Sequence, residues 1–92
     1  MRLLDENLLR SLARQPAAVK AFPFLKGACK TVEEVCCGGT VRRKSIPDFD
    51  KMKTTVASFD AAQTALFLEL AGLQKIRIVW RSGKRIEEKV LA

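Results

Sequence analysis

The residues with most chemistry to offer are three cysteines, Cys29, Cys36 and Cys37, spaced C-x6-C-C. A structural zinc site takes four thiolate or imidazole ligands, commonly from paired C-x2-4-C knuckles. This chain has three thiols and no histidine, so a carboxylate or another chain would have to supply the fourth ligand. A nucleophilic Cys37 could draw on Arg42 and Arg43, since nearby cations lower a thiol pKa. It lacks a histidine to serve as its base. Cys29 falls on the apolar stripe of a helical reading, where a thiol behaves as a small buried hydrophobe. The plain reading is that Cys36 and Cys37 are small residues closing a helix.

The other candidates fail in the same way. Gly38-Gly39-Thr40 ahead of Arg42 misses the G-x-x-x-x-G-K-[ST] phosphate loop and has no strand before it. Glu33-Glu34 and Glu87-Glu88 are adjacent in sequence. Adjacent residues are solvated on a helix or face opposite sides of a strand, so neither pair can work as acid and base on one substrate. The expectation is a protein with no catalytic residues, no cofactor and no metal of its own.

Charge carries more information. Lys and Arg total 17 against 10 acidic residues in 92, a net charge of +7. Such a balance favours nucleic acid, an anionic membrane or an acidic protein surface. Arg42, Arg43 and Lys44 form one cluster, a candidate contact for anions or nucleic acid. Residues 73 to 92 hold six cations against Glu87 and Glu88, six minus two giving +4. A basic two-stranded ribbon can enter a major groove and neutralise phosphates. Cations on an exposed hairpin also simply guard its edges. No apolar run approaches the roughly 20 residues needed to span a bilayer. MRLLDENLLRSLARQ is interrupted by Asp5, Glu6 and Asn7, unlike a secretion signal, so no membrane partner is expected. The odd cysteine count argues against a secreted disulfide framework.

The elements that must position these residues follow from periodicity and punctuation. Asp5 can cap a first helix, with Leu4 and Leu9 stapling it and Leu8, Leu9 and Leu12 on one side. Gln15 precedes Pro16, which ends that helix near Arg14 and suits the first turn of the next, AAVKAF. From Pro23, the positions Leu25, Ala28, Cys29, Val32 and Cys36 trace one helical face, stopped by Gly38-Gly39. TVRRKSIP shows neither period and reads as a linker. Asp48 can cap a helix carrying Phe49, Met52, Val56 and Phe59. Asp60 and Gln63 form a capping box, and Gly72 closes the last turn with Leu73 folding back on Leu68.

After Gly72 the period becomes two. Ile76, Ile78 and Trp80 point one way, Lys75, Arg77 and Arg81 the other. A three-residue loop Arg81-Ser82-Gly83 pairs Ile78 with Ile86 and Arg77 with Glu87. A lone hairpin is marginal in water, and its edges offer unpaired backbone groups. Neighbouring chains are therefore expected to complete it. The interface residues predicted are Ile76, Ile78, Trp80 and Ile86, flanked by Arg77, Arg81 and Arg85.

Together these give an α+β protein: a helical segment over residues 1–37, a Gly/basic linker over 38–47, and a helix plus antiparallel β-hairpin over 48–92. The run CCGG, the basic spacer Arg42-Arg43-Lys44, the helix opening DFDKMKTTVASF and the closing LAGLQKIRIVWRSGKRIEEKVL resemble small uncharacterised proteins of tailed bacteriophages. Those are short products associated with genes for building head and tail. The resemblance covers roughly residues 36–92, and this chain has adjacent Cys36 and Cys37 where such proteins tend to carry C-x-x-C. It implies a minor virion component or assembly factor, found in the virion or otherwise in the host cytoplasm. Its partners would be other virion proteins in a symmetric assembly, with cations meeting acidic neighbours or packaged DNA. A small basic nucleic-acid-binding protein is the second reading.

Overall fold

The computed structural model describes residues 1–36 and 38–92, which form a mixed α+β structure with two small sheets. In chain order the elements are β1 (Arg2–Leu3), α1 (Glu6–Ala13), α2 (Pro16–Ala21), α3 (Phe24–Gly27), β2 (Cys29–Val35), β3 (Val41–Pro47), α4 (Phe49–Ala57), α5 (Ala61–Ala71), β4 (Ile76–Ser82) and β5 (Arg85–Leu91). One sheet has the order β1-β4-β5; the other is the pair β2-β3.

Local chemistry places the helix ends where their caps stand. The Asp5 carboxylate accepts from the Leu8 N–H at 2.8 Å, and Asp48 accepts from the Lys51 N–H at 3.1 Å. Asp60 and Gln63 bond reciprocally, satisfying two N–H groups that the first turn of α5 would otherwise leave bare. At the other end Gly72 takes φ +69°, and the Leu73 N–H reaches back to the Leu68 carbonyl at 3.0 Å. That left-handed position suits a residue without a Cβ.

The core lies between the helices and one face of the three-stranded sheet. Leu8, Leu9 and Leu12 of α1 meet Val56 of α4, Phe67 and Leu68 of α5, and Ile76 and Ile78 of β4, all buried. Four phenylalanines lock the short helices to the long ones. Phe22 stacks on Phe59 at 5.0 Å between centroids and meets the Phe67 ring edge-on at 5.6 Å. Phe24 completes the group against Phe22 and Phe59. Aromatic pairs of this geometry add about 0.5–1.5 kcal/mol each beyond burial.

Two expectations fail here. The helix read from Pro23 to Cys36 stops at Gly27, and residues 29–35 are a strand instead. The supposed linker, residues 38–47, supplies its partner β3. The apolar stripe spans two elements: Leu25 and Ala28 enter the core, while Cys29 is exposed. The β-branched residues Thr31, Val32 and Val35 favour the strand.

The second failure is one of register. Ser82 pairs with Arg85, so the loop is Gly83-Lys84, and Ile78 lies opposite Lys89 rather than Ile86. Gly83 has φ +61°, and no residue other than glycine has a positive φ among the described residues. A glycine at the first central position is what a type II′ turn requires, and its twist matches that of the strands. The shift puts Ile86 on the opposite face from Ile78. Leu91 takes its place opposite Ile76, and is buried. The Lys89 ammonium donates to the Ala57 carbonyl at 2.6 Å. That carbonyl ends α4, where the helix dipole favours a cation.

Candidate functional site

Two regions present open surface, and different physics builds each. The first is the β2–β3 hairpin. Its ladder runs from Cys29 opposite Pro47 to Val35 opposite Val41. It is extended at the base by the Asp48 N–H bonding to the Ala28 carbonyl, and at the tip by the Cys36 N–H bonding to the Thr40 carbonyl, both at 2.8 Å. Every residue of the two strands is exposed except Val32 and Ile46, which are half-buried. The hairpin is therefore an arm with water on both faces. A compact chain of this length would have a radius of gyration of about 12 Å; this one has 15.1 Å and a long axis of 50 Å.

Side chains across the arm are matched by charge. Glu33 faces Arg43, with the carboxylate 3.8 Å from Nε, and Glu34 faces Arg42. Lys44 lies opposite Val32 and Lys30 opposite Ile46. Alternation puts Arg42, Lys44 and Lys30 on one face and Arg43 on the other. The cluster predicted at Arg42, Arg43 and Lys44 is thus divided between two faces, and both arginines have an acidic neighbour. At the tip Val35 and Val41 form an apolar pair, 76% and 54% exposed. The clue in the sequence is a mirror: Val-Glu-Glu-Val before the glycines and Val-Arg-Arg-Lys after them.

The same geometry bears on the thiols. Cys29 stands at the base of β2 and Cys36 just past its tip. Seven residues of strand separate them by roughly 23 Å, so these two cannot ligate one ion. Cys29 is exposed and its Sγ lies 3.8 Å from the Lys26 carbonyl, which corrects its placement on a buried helical stripe. Cys37 lies outside the described residues. No group of three or more His, Cys, Asp or Glu side chains gathers at metal-binding distance among the described residues.

The second region is the three-stranded sheet. Its inner face carries Ile76, Ile78, Trp80 and Leu91 against the helices; Ile76 and Ile78 are 0% exposed and Trp80 is half-buried. The side chains of Ile76 and Ile78 are thus satisfied by this chain's own core, which removes them from the predicted contact set. Arg85 lies on the inner side next to the turn. Arg77, Arg81 and Ile86 project from the outer face, along with Leu3, Val79 and Val90, which the sequence reading did not single out. Ile86 is 75% exposed and Val90 45%. Arg77 donates to Glu88 at 2.8–2.9 Å through two nitrogens. That hydrogen bond, with the guanidinium charge, holds the Glu88 carboxyl below its ordinary value and raises the Arg77 guanidinium.

The sheet's two edges differ. β1 covers part of the β4 edge, Arg2 beside Ile76 and Leu3 beside Arg77, with the Leu4 N–H donating to the Arg77 carbonyl at 2.8 Å. Among the described residues no strand pairs with the outer edge of β5. None of their helices is long and apolar enough to cross a membrane. No protein-family model matches the chain, and no curated protein and no solved structure shows significant similarity to it.

Proposed function

We propose that this chain is a non-enzymatic structural protein that works by binding other subunits of a symmetric particle, as a minor head- or neck-associated component of a tailed-phage virion. The observation that carries this reading is the arm. A two-stranded ribbon with both faces in water contributes little to its own stability. It presents four free surfaces, two faces and two edges, to whatever lies beside it. Its apolar tip and the exposed Ile86 and Val90 add the kind of area that becomes buried at an interface. The resemblance of residues 36–92 to small phage head and tail products supplies the particle.

A second reading, a small nucleic-acid-binding protein, draws on the +7 charge and on the fit of a ribbon to a major groove. The arm itself weakens it. Lys30, Arg42, Arg43 and Lys44 against Glu33 and Glu34 leave only four minus two, or +2, with each Glu beside an arginine. Phosphate contact would loosen steeply with added salt, whereas an apolar subunit interface would hold.

The test is purification from the native source. The chain is expected to travel with a large particle in fixed stoichiometry and to remain bound in high salt. Recovery only as a free small protein, or release from nucleic acid by moderate salt, would overturn it.

A further inference from the structure

We propose that β5 is a self-complementary pairing strand: two copies of this chain join antiparallel about a dyad at Glu88, fusing two three-stranded sheets into one of six. This deepens the assembly reading by naming one neighbour, a second copy.

The backbone sets which registers are possible. The Arg77 carbonyl is spent on β1, away from β5, so its cross-strand partner Val90 turns its own N–H and C=O away from β4. Alternation assigns the same outward direction to Glu88 and Ile86. In a continuous antiparallel sheet these outward residues must face one another, which permits only registers that pair even numbers with even numbers. Pairing Ile86 with Glu88 would set Glu87 against Glu87 and leave an apolar residue beside a carboxylate. Pairing Ile86 with Ile86 would overlap only three residues of each strand.

The register centred on Glu88 overlaps all of Arg85–Leu91. It sets Ile86 against Val90 of the second copy and Glu87 against Lys89 of the second copy, each contact occurring twice. Both apolar residues left exposed on this strand are thereby covered by each other. The two Glu88 carboxylates meet at the dyad, a repulsion offset by Arg77, already bonded to each of them. The contact is isologous and closes on itself, since the far edge of each sheet carries only the two-residue β1. About six backbone hydrogen bonds would form.

Sedimentation of the full chain across micromolar to millimolar concentration tests this, with circular dichroism confirming that each variant folds. The wild type is expected to dimerise. Ile86→Pro removes an N–H that points away from β4, leaving the hairpin's own ladder intact. It deletes two intermolecular bonds and should weaken the dimer roughly 30-fold. The double variants Ile86→Lys/Val90→Lys and Ile86→Glu/Val90→Glu, changed only at exposed positions, should each weaken self-association by setting like charges opposite, and mixing the two variants should restore pairing between unlike copies. A wild type that stays monomeric to millimolar concentration would overturn the proposal. So would a dimer that Ile86→Pro leaves unchanged, or variants whose mixture fails to pair. Those results would leave the particle reading to its own test, since a monomer can still co-purify with a particle.

Discussion

The two hairpins of this protein have strands of equal length and opposite physics. β4–β5 lays one face on the helices, so the start of β4 alternates buried Ile76 and Ile78 with exposed Arg77. β2 and β3 form a ribbon with no buried face, so its composition is set by cross-strand pairs instead. Ile76 and Ile78 are buried completely; Val35 and Val41 at the arm's tip are mostly in water. A strand advertises itself through hydrophobic period only when something covers one side of it. The difference also assigns roles: the C-terminal sheet holds the fold together, and the arm is available to something else.

The largest effects should separate the two regions. Ile78→Asp buries an unpaired charge and should cost at least about 4 kcal/mol, most of a small domain's stability. Val35→Asp at the arm tip should change the melting midpoint by no more than a surface substitution does, about 0.5 kcal/mol. Equal destabilisation by the two would erase the distinction between body and arm. Phe67→Ala follows, opening a cavity among the stacked rings and costing about 3–5 kcal/mol in chemical denaturation. Excising residues 30–46, so that Cys29 and Pro47 are joined by a short turn, should leave that transition in place. Those two residues are cross-strand partners already.

Smaller effects sharpen the register. Gly83→Ala forces a Cβ onto a backbone at φ +61° and should cost about 1 kcal/mol. The three-residue alternative also places Gly83 in the left-handed region, so Lys84 discriminates: Lys84→Gly should be close to neutral in a two-residue turn. The ion pair of the outer face gives a pH signature. Glu88 titrates below its ordinary value in the folded chain because of its hydrogen bond to Arg77. Its contribution is therefore present above the unfolded carboxylate's pKa and is lost as pH falls through the lowered folded value. Glu88→Gln should flatten the acid limb of stability against pH and leave neutral stability little changed, since both partners are half exposed. Least of all, Glu33→Gln on the arm should alter stability by under about 0.5 kcal/mol.

What was legible in the sequence follows the same division. The helices of the body other than α3 were readable because their caps are local: Asp5, Pro16, Asp48, the Asp60–Gln63 box and Gly72 each act within a few residues, whereas the end of α3 at Gly27 was missed. While Ile86 was placed on the wrong face, the existence of the C-terminal hairpin and the inner face of β4 were readable from Ile76, Ile78 and Trp80. Its register was not, because matching Ile78 to Ile86 looked better than matching it to Lys89. Only the tertiary fold shows that Lys89 can run past the core to the Ala57 carbonyl. β1 was invisible too, since two residues carry no period and the strand exists only through β4. The arm was hidden for the reason given above, and its leading residues continued the helical stripe of Leu25 and Ala28 by coincidence. The predicted contacts at Ile76 and Ile78 failed with it: an amphipathic strand identifies a covered face without saying whether its own helices or a partner cover it.

Hydrogen exchange of the isolated chain, repeated on the chain within the proposed particle, tests the division between body and arm most directly. Slow exchange is expected for the inward amides of β4 and β5 in both states. The amides of β2 and β3 should exchange fast in isolation and become protected on assembly. An arm as protected as the C-terminal sheet in the free chain, or equally unprotected within the particle, would contradict it.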